Sequence, residues 1–269
     1  MFSPSPIFIA LQREASIGAE MIASGVTLLG KANSFRPGLY SQAFFNLTIG
    51  LERTAKLVVL LDYYFDNDHT FFDDNSLRNK YGHDLNKLLE TSKRISKKLV
   101  TDERYKFPDT ELHKKLILFL SDFAKTTRYY NLDLLTNTGK NQRDPIKVWN
   151  ADIGSLILKK YPLRKKSQAP EALIKAMGPR TRVMGTAEEH SLLKSLVGAA
   201  QKSYKSELIN KFGRLLILQI VRAMTETISE LTMKAYKEQT SEIPILTDFF
   251  RIFHNEDSYF LKRKTWIVI

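Results

Sequence analysis

The chain of 269 residues contains no cysteine. Disulfide bonds, thiolate metal sites and cysteine nucleophiles are therefore excluded, and a reducing compartment such as the cytoplasm is expected. No apolar run approaches the roughly 18 to 20 residues that a membrane-spanning helix needs. The N-terminal segment also lacks the basic start of a signal peptide. We therefore expect a soluble protein without a membrane partner.

Positive charge is in excess, with 41 Lys and Arg against 29 Asp and Glu, a net charge of +12. Residues 140–183 hold 11 basic and 3 acidic side chains, a net charge of +8, whereas 1–139 and 184–269 carry +2 each. Clustered cations release counterions from a nucleic-acid backbone, so this segment predicts an RNA contact, with a solvated connector as the alternative. Its candidate phosphate-binding residues are Lys159, Lys160, Arg164, Lys165 and Lys166.

Outside the loops, apolar residues recur every three to four positions, which predicts a mainly α-helical protein. We predict helices over 6–31 and 39–65, a third that begins near Asp84 and a fourth that begins near Thr110. Four amphipathic helices joined by loops indicate an antiparallel bundle with one shared core.

Three segments are predicted: a helical bundle over 1–139, a basic connector over 140–183, and a helical module over 184–269 that can pack as one domain with the bundle. The helical pattern of the module continues for about fifty residues, too long for a compact domain. We therefore expect either a break near Gly213 or a projecting dimerisation arm. Residues 259–269 predict a short C-terminal strand.

Three pieces of sequence carry a resemblance to a known family. Residues 40–61 form an apolar helix with an embedded Glu-Arg and Lys, residues 77–89 contain a His-Asp-Leu that opens a later helix, and 128–131 read Arg-Tyr-Tyr-Asn. In this order and spacing they resemble the HEPN superfamily over about residues 38–135.

The resemblance implies a small helical bundle, commonly a homodimer, that handles RNA in toxin–antitoxin, anti-phage or RNA-processing systems. Two activities are compatible with it. One is metal-independent endoribonuclease activity. The other is a catalytically silent regulator or scaffold that acts through a protein partner such as an antitoxin or a defence subunit.

Active members of the superfamily use an Arg followed closely by a His. Arg stabilises the crowded phosphate and His moves protons during attack by the neighbouring 2′-hydroxyl, so no metal is required. The matching pair here is Arg78 and His83, with a structural role at a helix start as the alternative for His83. No His stands five to seven residues after Arg128, where the sequence has Asp133, Leu134 and Leu135. Arg128 is expected with Tyr129 and Asn131 to bind substrate or to lie at a dimer contact.

Other polar features are interpreted as structural. Glu52 and Lys56 lie four residues apart in an apolar helix and are expected to pair, with Arg128 as an alternative partner of Glu52. The acidic loop 66–75 lacks the Gly and the terminal Glu of a calcium loop. No glycine-rich phosphate loop, nucleophile elbow or dinucleotide fingerprint is present, so neither a metal nor a cofactor is expected.

Overall fold

The computed structural model describes residues 4–136, 143–162 and 196–268, and this part of the chain is mainly helical, as the sequence predicts. A π-helical turn, Trp149–Ile153, joins the helix Pro145–Val148 to the helix Gly154–Lys160. The helices are α1 (Pro6–Lys31), α2 (Gly38–Asp66), α3 (Asp74–Tyr81), α4 (Leu85–Leu99), α5 (Glu111–Lys125), α6 (Tyr130–Leu135), α7 (Pro145–Val148), α8 (Gly154–Lys160), α9 (Leu196–Lys237), α10 (Thr247–Phe250) and α11 (Asp257–Lys262).

The first two helices form an antiparallel pair in unusually close contact. The Ser5 hydroxyl accepts a hydrogen bond from the Phe8 amide and so begins α1 where the sequence predicts. A Cβ at Gly25 would lie 2.6 Å from Leu47 Cγ, and one at Gly50 would lie 2.7 Å from Ile22 Cγ1. Only glycine therefore allows the two backbones to approach at these points.

The predicted starts of the next two long helices are confirmed by their caps. The Asp84 carboxylate accepts from the Lys87 amide at the start of α4, and the Thr110 hydroxyl accepts from the His113 amide at the start of α5. Both side chains satisfy amides that a helix leaves without an internal partner.

Helix α3 is absent from the sequence prediction and begins inside the segment interpreted as an acidic loop. Asp73 caps it by accepting from the Ser76 amide at 2.8 Å. Apart from Tyr81, none of the α3 side chains that the structure describes is buried. Because α3 lies on the surface, its sequence has no apolar repeat to reveal it.

Helix α9 corrects the prediction for the long helix. It is continuous over 42 residues, with no break at Gly213. Its side chains are buried repeatedly from Ile209 to Ala235, so this part lies in the core and does not project as an arm. A single buried apolar cluster extends from Leu11 to Trp266 and includes residues from both predicted helical segments.

A buried hydrogen-bond network explains why Gly213 does not break the helix. The indole Nε1 of Trp149 donates to Asn210 Oδ1 at 3.0 Å, and Asn210 Nδ2 donates to the Ala32 carbonyl and to the Tyr40 hydroxyl. The Trp149 ring then covers the α9 backbone one turn later, at Gly213. This glycine is therefore a packing site inside a helix that tertiary contacts stabilise.

The predicted C-terminal strand is wrong, since no strand occurs in the described ranges. The segment forms the end of α11 and then an irregular tail over 263–268. Trp266 is buried, its ring lies 5.9 Å from that of Phe253, and its amide donates to Thr27 Oγ1 on α1. Trp266 and Val268 thus pack against the helical core and Ile267 is largely exposed, with no strand in the described ranges for the tail to pair with.

A second buried network connects α5, α9 and α11. The His113 ring accepts a hydrogen bond from the Thr110 hydroxyl at Nδ1, 2.7 Å away, and donates from Nε2 to Gln219 Oε1 at 3.0 Å. Gln219 Nε2 in turn donates to Asp257 Oδ2 at 2.7 Å. Burial lowers the pKa of His113 below its ordinary value of 6.5, because a charged ring would be poorly solvated there.

No helix in the described ranges is both long and apolar enough to cross a bilayer.

We expect Gly213→Ala to destabilise the protein, although alanine favours helices by about 1 kcal/mol. The added Cβ would lie 2.6 Å from the Trp149 ring, and such overpacking costs about 1–3 kcal/mol. Urea denaturation should show the loss. Gly38→Ala is the matched control, because a Cβ there meets nothing within 4 Å. A Gly213→Ala protein as stable as wild type would contradict this packing.

We expect the contribution of His113 to the free energy of unfolding to be largest above about pH 6.5 and to fall as the pH drops below it. The unfolded chain takes up a proton at His113 before the folded chain does, because burial lowers the pKa of the folded His113. Burial lowers the pKa of His254 as well, so His254 acts in the same direction. Denaturant titrations between about pH 5 and 7 should show a smaller fall for His113→Gln than for wild type. Identical slopes would be evidence against this burial effect.

Candidate functional site

A cleft of about 650 Å³ opens on one side of the bundle. We call it the Glu52 cleft. It is bounded by α1, α2, the junction of α3 and α4, and the end of α5. Its lining residues are Glu14, Phe45, Thr48, Ile49, Glu52, Arg53, Lys56, His83, Phe123, Ala124, Lys125 and Arg128.

Helix α2 provides half of this lining from a single stripe. Phe45, Ile49, Glu52 and Lys56 recur every three to four residues, so they share one face of the helix. Other faces of α2 are buried in the core. The sequence pattern that predicts α2 as a core helix therefore also places a mixed apolar and charged stripe along its open side.

Glu52 lines the cleft and contacts two side chains through one oxygen. Its Oε1 accepts from Lys56 Nζ at 2.7 Å, which confirms the predicted pair, and lies 2.9 Å from His83 Nδ1. The Glu52 side chain is only 17% exposed, whereas that of His83 is 88% exposed. A carboxylate oxygen can only accept, so His83 donates from Nδ1 and its Nε2 lies on the opposite, outward edge of the ring.

The backbone around His83 is fixed on both sides. Gly82 ends α3 with a φ of +50°, a conformation that favours glycine, and Asp84 caps α4. Lys125 on α5 donates to Asp84 Oδ2 at 2.9 Å. Burial alone would raise the pKa of Asp84, but the hydrogen bonds from Lys125 and from the Lys87 amide outweigh it and lower this pKa. His83 is therefore held at a capped helix start, with its ring directed to Glu52.

The basic residues of the cleft differ in their partners. Arg53 donates to both carboxylate oxygens of Glu14, at 2.5 and 2.7 Å, and ties α2 to α1. Arg128 does not form the alternative pair with Glu52, and no acidic partner of Arg128 occurs within the described residues. Its guanidinium carbon lies 4.9 Å from the centre of the Tyr129 ring. Arg128 is exposed and available to an anion.

One residue of the predicted catalytic pair lines the cleft and the other does not. His83 lines the cleft, whereas Arg78 lies exposed on α3 and is not among the lining residues. Four basic residues share the cleft with His83, and among them Arg128, at the other end of the sequence resemblance, is the one without an acidic partner in the described residues. Tyr129 and Asn131 are exposed beside it.

The predicted phosphate contacts of the basic segment are only partly described. Lys159 and Lys160 are exposed at the end of α8, with Lys160 Nζ 5.5 Å from the Tyr161 ring centre. Arg164, Lys165 and Lys166 lie outside the described residues.

Sequence reasoning misses several lining residues, among them Phe45, Arg53 and Lys125. The sequence could have indicated Phe45 and Arg53, because both lie next to residues of the apolar repeat of α2 but do not belong to that repeat. Lys125 carries no such signal, since its position depends on how α5 crosses the start of α4. This position follows from tertiary packing.

The arrangement of the cleft can bind an anion beside a group that transfers protons. In the part of the chain that the structure describes, no group of three or more His, Cys, Asp or Glu could hold a metal ion. Comparisons with protein-family models, with curated proteins and with solved structures find no match for this chain. The chemistry of the cleft and the sequence resemblance are therefore the two indications of function.

Proposed function

We propose that the protein is an RNA-binding, HEPN-like endoribonuclease that cleaves RNA without a metal ion in the Glu52 cleft. One observation carries the proposal: His83, oriented by Glu52, shares a cleft with the exposed cation Arg128. The sequence resemblance adds the substrate class and the setting, a toxin–antitoxin or anti-phage defence system in which the protein acts as a homodimer.

His83 supplies the proton transfers in the proposed reaction. Its Nε2 accepts the proton of a ribose 2′-hydroxyl while the 2′-oxygen attacks the adjacent phosphorus. Nδ1 keeps its own proton and continues to donate it in the hydrogen bond to Glu52. The imidazolium then protonates the departing 5′-oxygen, so the products are a 2′,3′-cyclic phosphate and a 5′-hydroxyl. Glu52 stabilises the imidazolium between the two transfers, as a buried carboxylate does beside a catalytic histidine.

Cations beside the reacting phosphate stabilise the negative charge that develops on its oxygens. Arg128 can contact the phosphate oxygens directly, because its guanidinium presents several donors to an oxyanion. Lys56 already lies at the Glu52 carboxylate and adds positive charge near the same point. Arg78 lies outside the cleft, so the role that the sequence assigns to Arg78 falls to Arg128 in this proposal.

A catalytically silent regulator or scaffold is the second candidate. The exposed apolar side chains of α6 favour it, because Leu132, Leu134 and Leu135 follow Arg128 and have no apolar cover in the described residues. Such a patch is typical of a surface for a protein partner. This candidate predicts that the wild-type protein binds its partner and cleaves no RNA.

We expect His83→Ala to lower the rate of RNA cleavage about 100- to 10,000-fold, the usual contribution of a general acid–base group. Glu52→Gln should also lower the rate, by at least about 10-fold, because an amide does not stabilise the imidazolium. The assay incubates purified protein with RNA in EDTA and measures 2′,3′-cyclic phosphate ends.

His69→Ala is the matched control, because His69 is another exposed histidine that pairs with a glutamate, Glu238, outside the cleft. It should cleave as fast as wild type. Equal cleavage by wild type and His83→Ala would overturn the assignment of His83. A wild-type protein that leaves RNA intact would exclude the nuclease and favour the silent regulator.

We expect neutralisation of the basic segment to weaken the salt dependence of RNA binding. Each lost phosphate contact should reduce the slope of log affinity against log salt concentration by about 0.7 for a single strand. The residues to change to Gln are Lys159, Lys160, Arg164, Lys165 and Lys166. Five exposed lysines elsewhere serve as the control: Lys97, Lys98, Lys106, Lys114 and Lys115. An unchanged slope in the first variant would identify 140–183 as a connector.

A further inference from the structure

The Glu52 cleft has an apolar part and a charged part, arranged in sequence along α2. Phe45 and Ile49 line the part nearer the start of the helix, and Glu52, Arg53 and Lys56 line the next two turns. A nucleotide has the same division, because its base is a flat apolar surface and its phosphate is an anion. The cleft can therefore take both parts of one ligand.

Phe45 is partly exposed to solvent, whereas its neighbour Phe44 is buried. The Phe44 ring is fully buried and contacts the rings of Phe119, Phe123 and Trp149 at 4.9 to 5.4 Å. Phe45 is 44% exposed, and it has no ring partner within the described residues. Core packing therefore accounts for Phe44 and leaves the open face of Phe45 without a structural role.

We propose that Phe45 is a stacking platform for an unpaired base, so that the cleft selects single-stranded RNA over duplex RNA. This inference rests on the proposed function, since it specifies the substrate of the same cleft. Base stacking on an aromatic side chain requires a base with an open face, and a base inside a duplex is already stacked on both sides.

The position of Phe45 also indicates which base is bound. Seven residues of helix separate Phe45 from Glu52, a rise of about 10.5 Å. A base on Phe45 therefore belongs to a nucleotide next to the one that reacts at His83, and stacking there holds the strand in register with the reacting phosphate. Such positioning of a flanking base raises the effective concentration of the 2′-hydroxyl at His83.

The test measures the affinity of the wild-type protein and of Phe45→Ala for a short RNA by fluorescence anisotropy. The 2′-hydroxyls of this RNA are methylated, which removes the nucleophile and keeps the RNA intact during the measurement. The RNA is used as a single strand, as a duplex with its complement, and as single strands in which each position in turn is abasic. We expect Phe45→Ala to weaken single-strand binding about 10-fold and to leave duplex binding unchanged. Phe45→Trp should restore tight binding, because it keeps an aromatic face.

Two controls make the test specific. Phe35→Ala removes another exposed Phe, 79% exposed and outside the cleft, and should bind as wild type does. One abasic position should weaken binding by wild type as much as Phe45→Ala does and should weaken Phe45→Ala no further. This non-additivity identifies the base that lies on Phe45.

The outcomes separate the platform from the proposed function. If wild type prefers single strands and cleaves them, but Phe45→Ala binds equally well, Phe45 is not a platform and the nuclease proposal stands. The same conclusion follows if the abasic and Phe45→Ala effects are additive at every position. If wild type binds neither form of RNA, the proposed function fails and the platform fails with it.

Discussion

Helix α2 is the element on which the rest of the structure depends. Helices α1, α4, α5 and α9 all pack against it. Glycines at the α1–α2 contact bring the first of these close enough that Glu14 reaches Arg53 across the pair. Because four helices cover α2, its uncovered stripe lies at the bottom of a cleft with walls and not on an open surface. The chemistry of the site is thus a consequence of which face of α2 the bundle leaves uncovered.

Lys56 and His83 both bind the Glu52 carboxylate, and this shared contact fixes the charge and the geometry of the site. One oxygen accepts from both Lys56 and His83, so the charge of this mostly buried carboxylate is balanced before any ligand arrives. Leaving a buried carboxylate without partners would be costly. The pairing with Lys56 therefore maintains Glu52 in the free protein, and it also keeps Glu52 in place to orient the exposed imidazole. A single pair thus has a structural role and a positioning role.

The sequence predicts the long helices well and the local exceptions poorly. Periodicity locates α1 and α2 because both bury a continuous apolar face, and side-chain caps locate the starts of α4 and α5. Neither signal shows that Gly213 packs under Trp149, or that Trp266 packs against helices and does not lie in a strand, because both depend on partners distant in the chain. In the site, the family resemblance singles out His83, but spacing along the chain cannot identify the cation beside it. Only the crossing of α5 over the start of α4 brings Arg128 to the same cleft.

The two proposed contributions to RNA binding are physically different and lie in different parts of the chain. Three of the four basic residues of the Glu52 cleft, Arg53, Lys56 and Lys125, already have acidic partners, so the cleft adds little to long-range attraction. Residues 140–183 carry a net charge of +8 and would attract any polyanion without regard to its sequence or strandedness. Salt should therefore weaken the attraction by this segment far more than it weakens stacking on Phe45. If both contributions operate, affinity falls with salt while the preference for single strands persists, because that preference comes from the apolar part of the cleft.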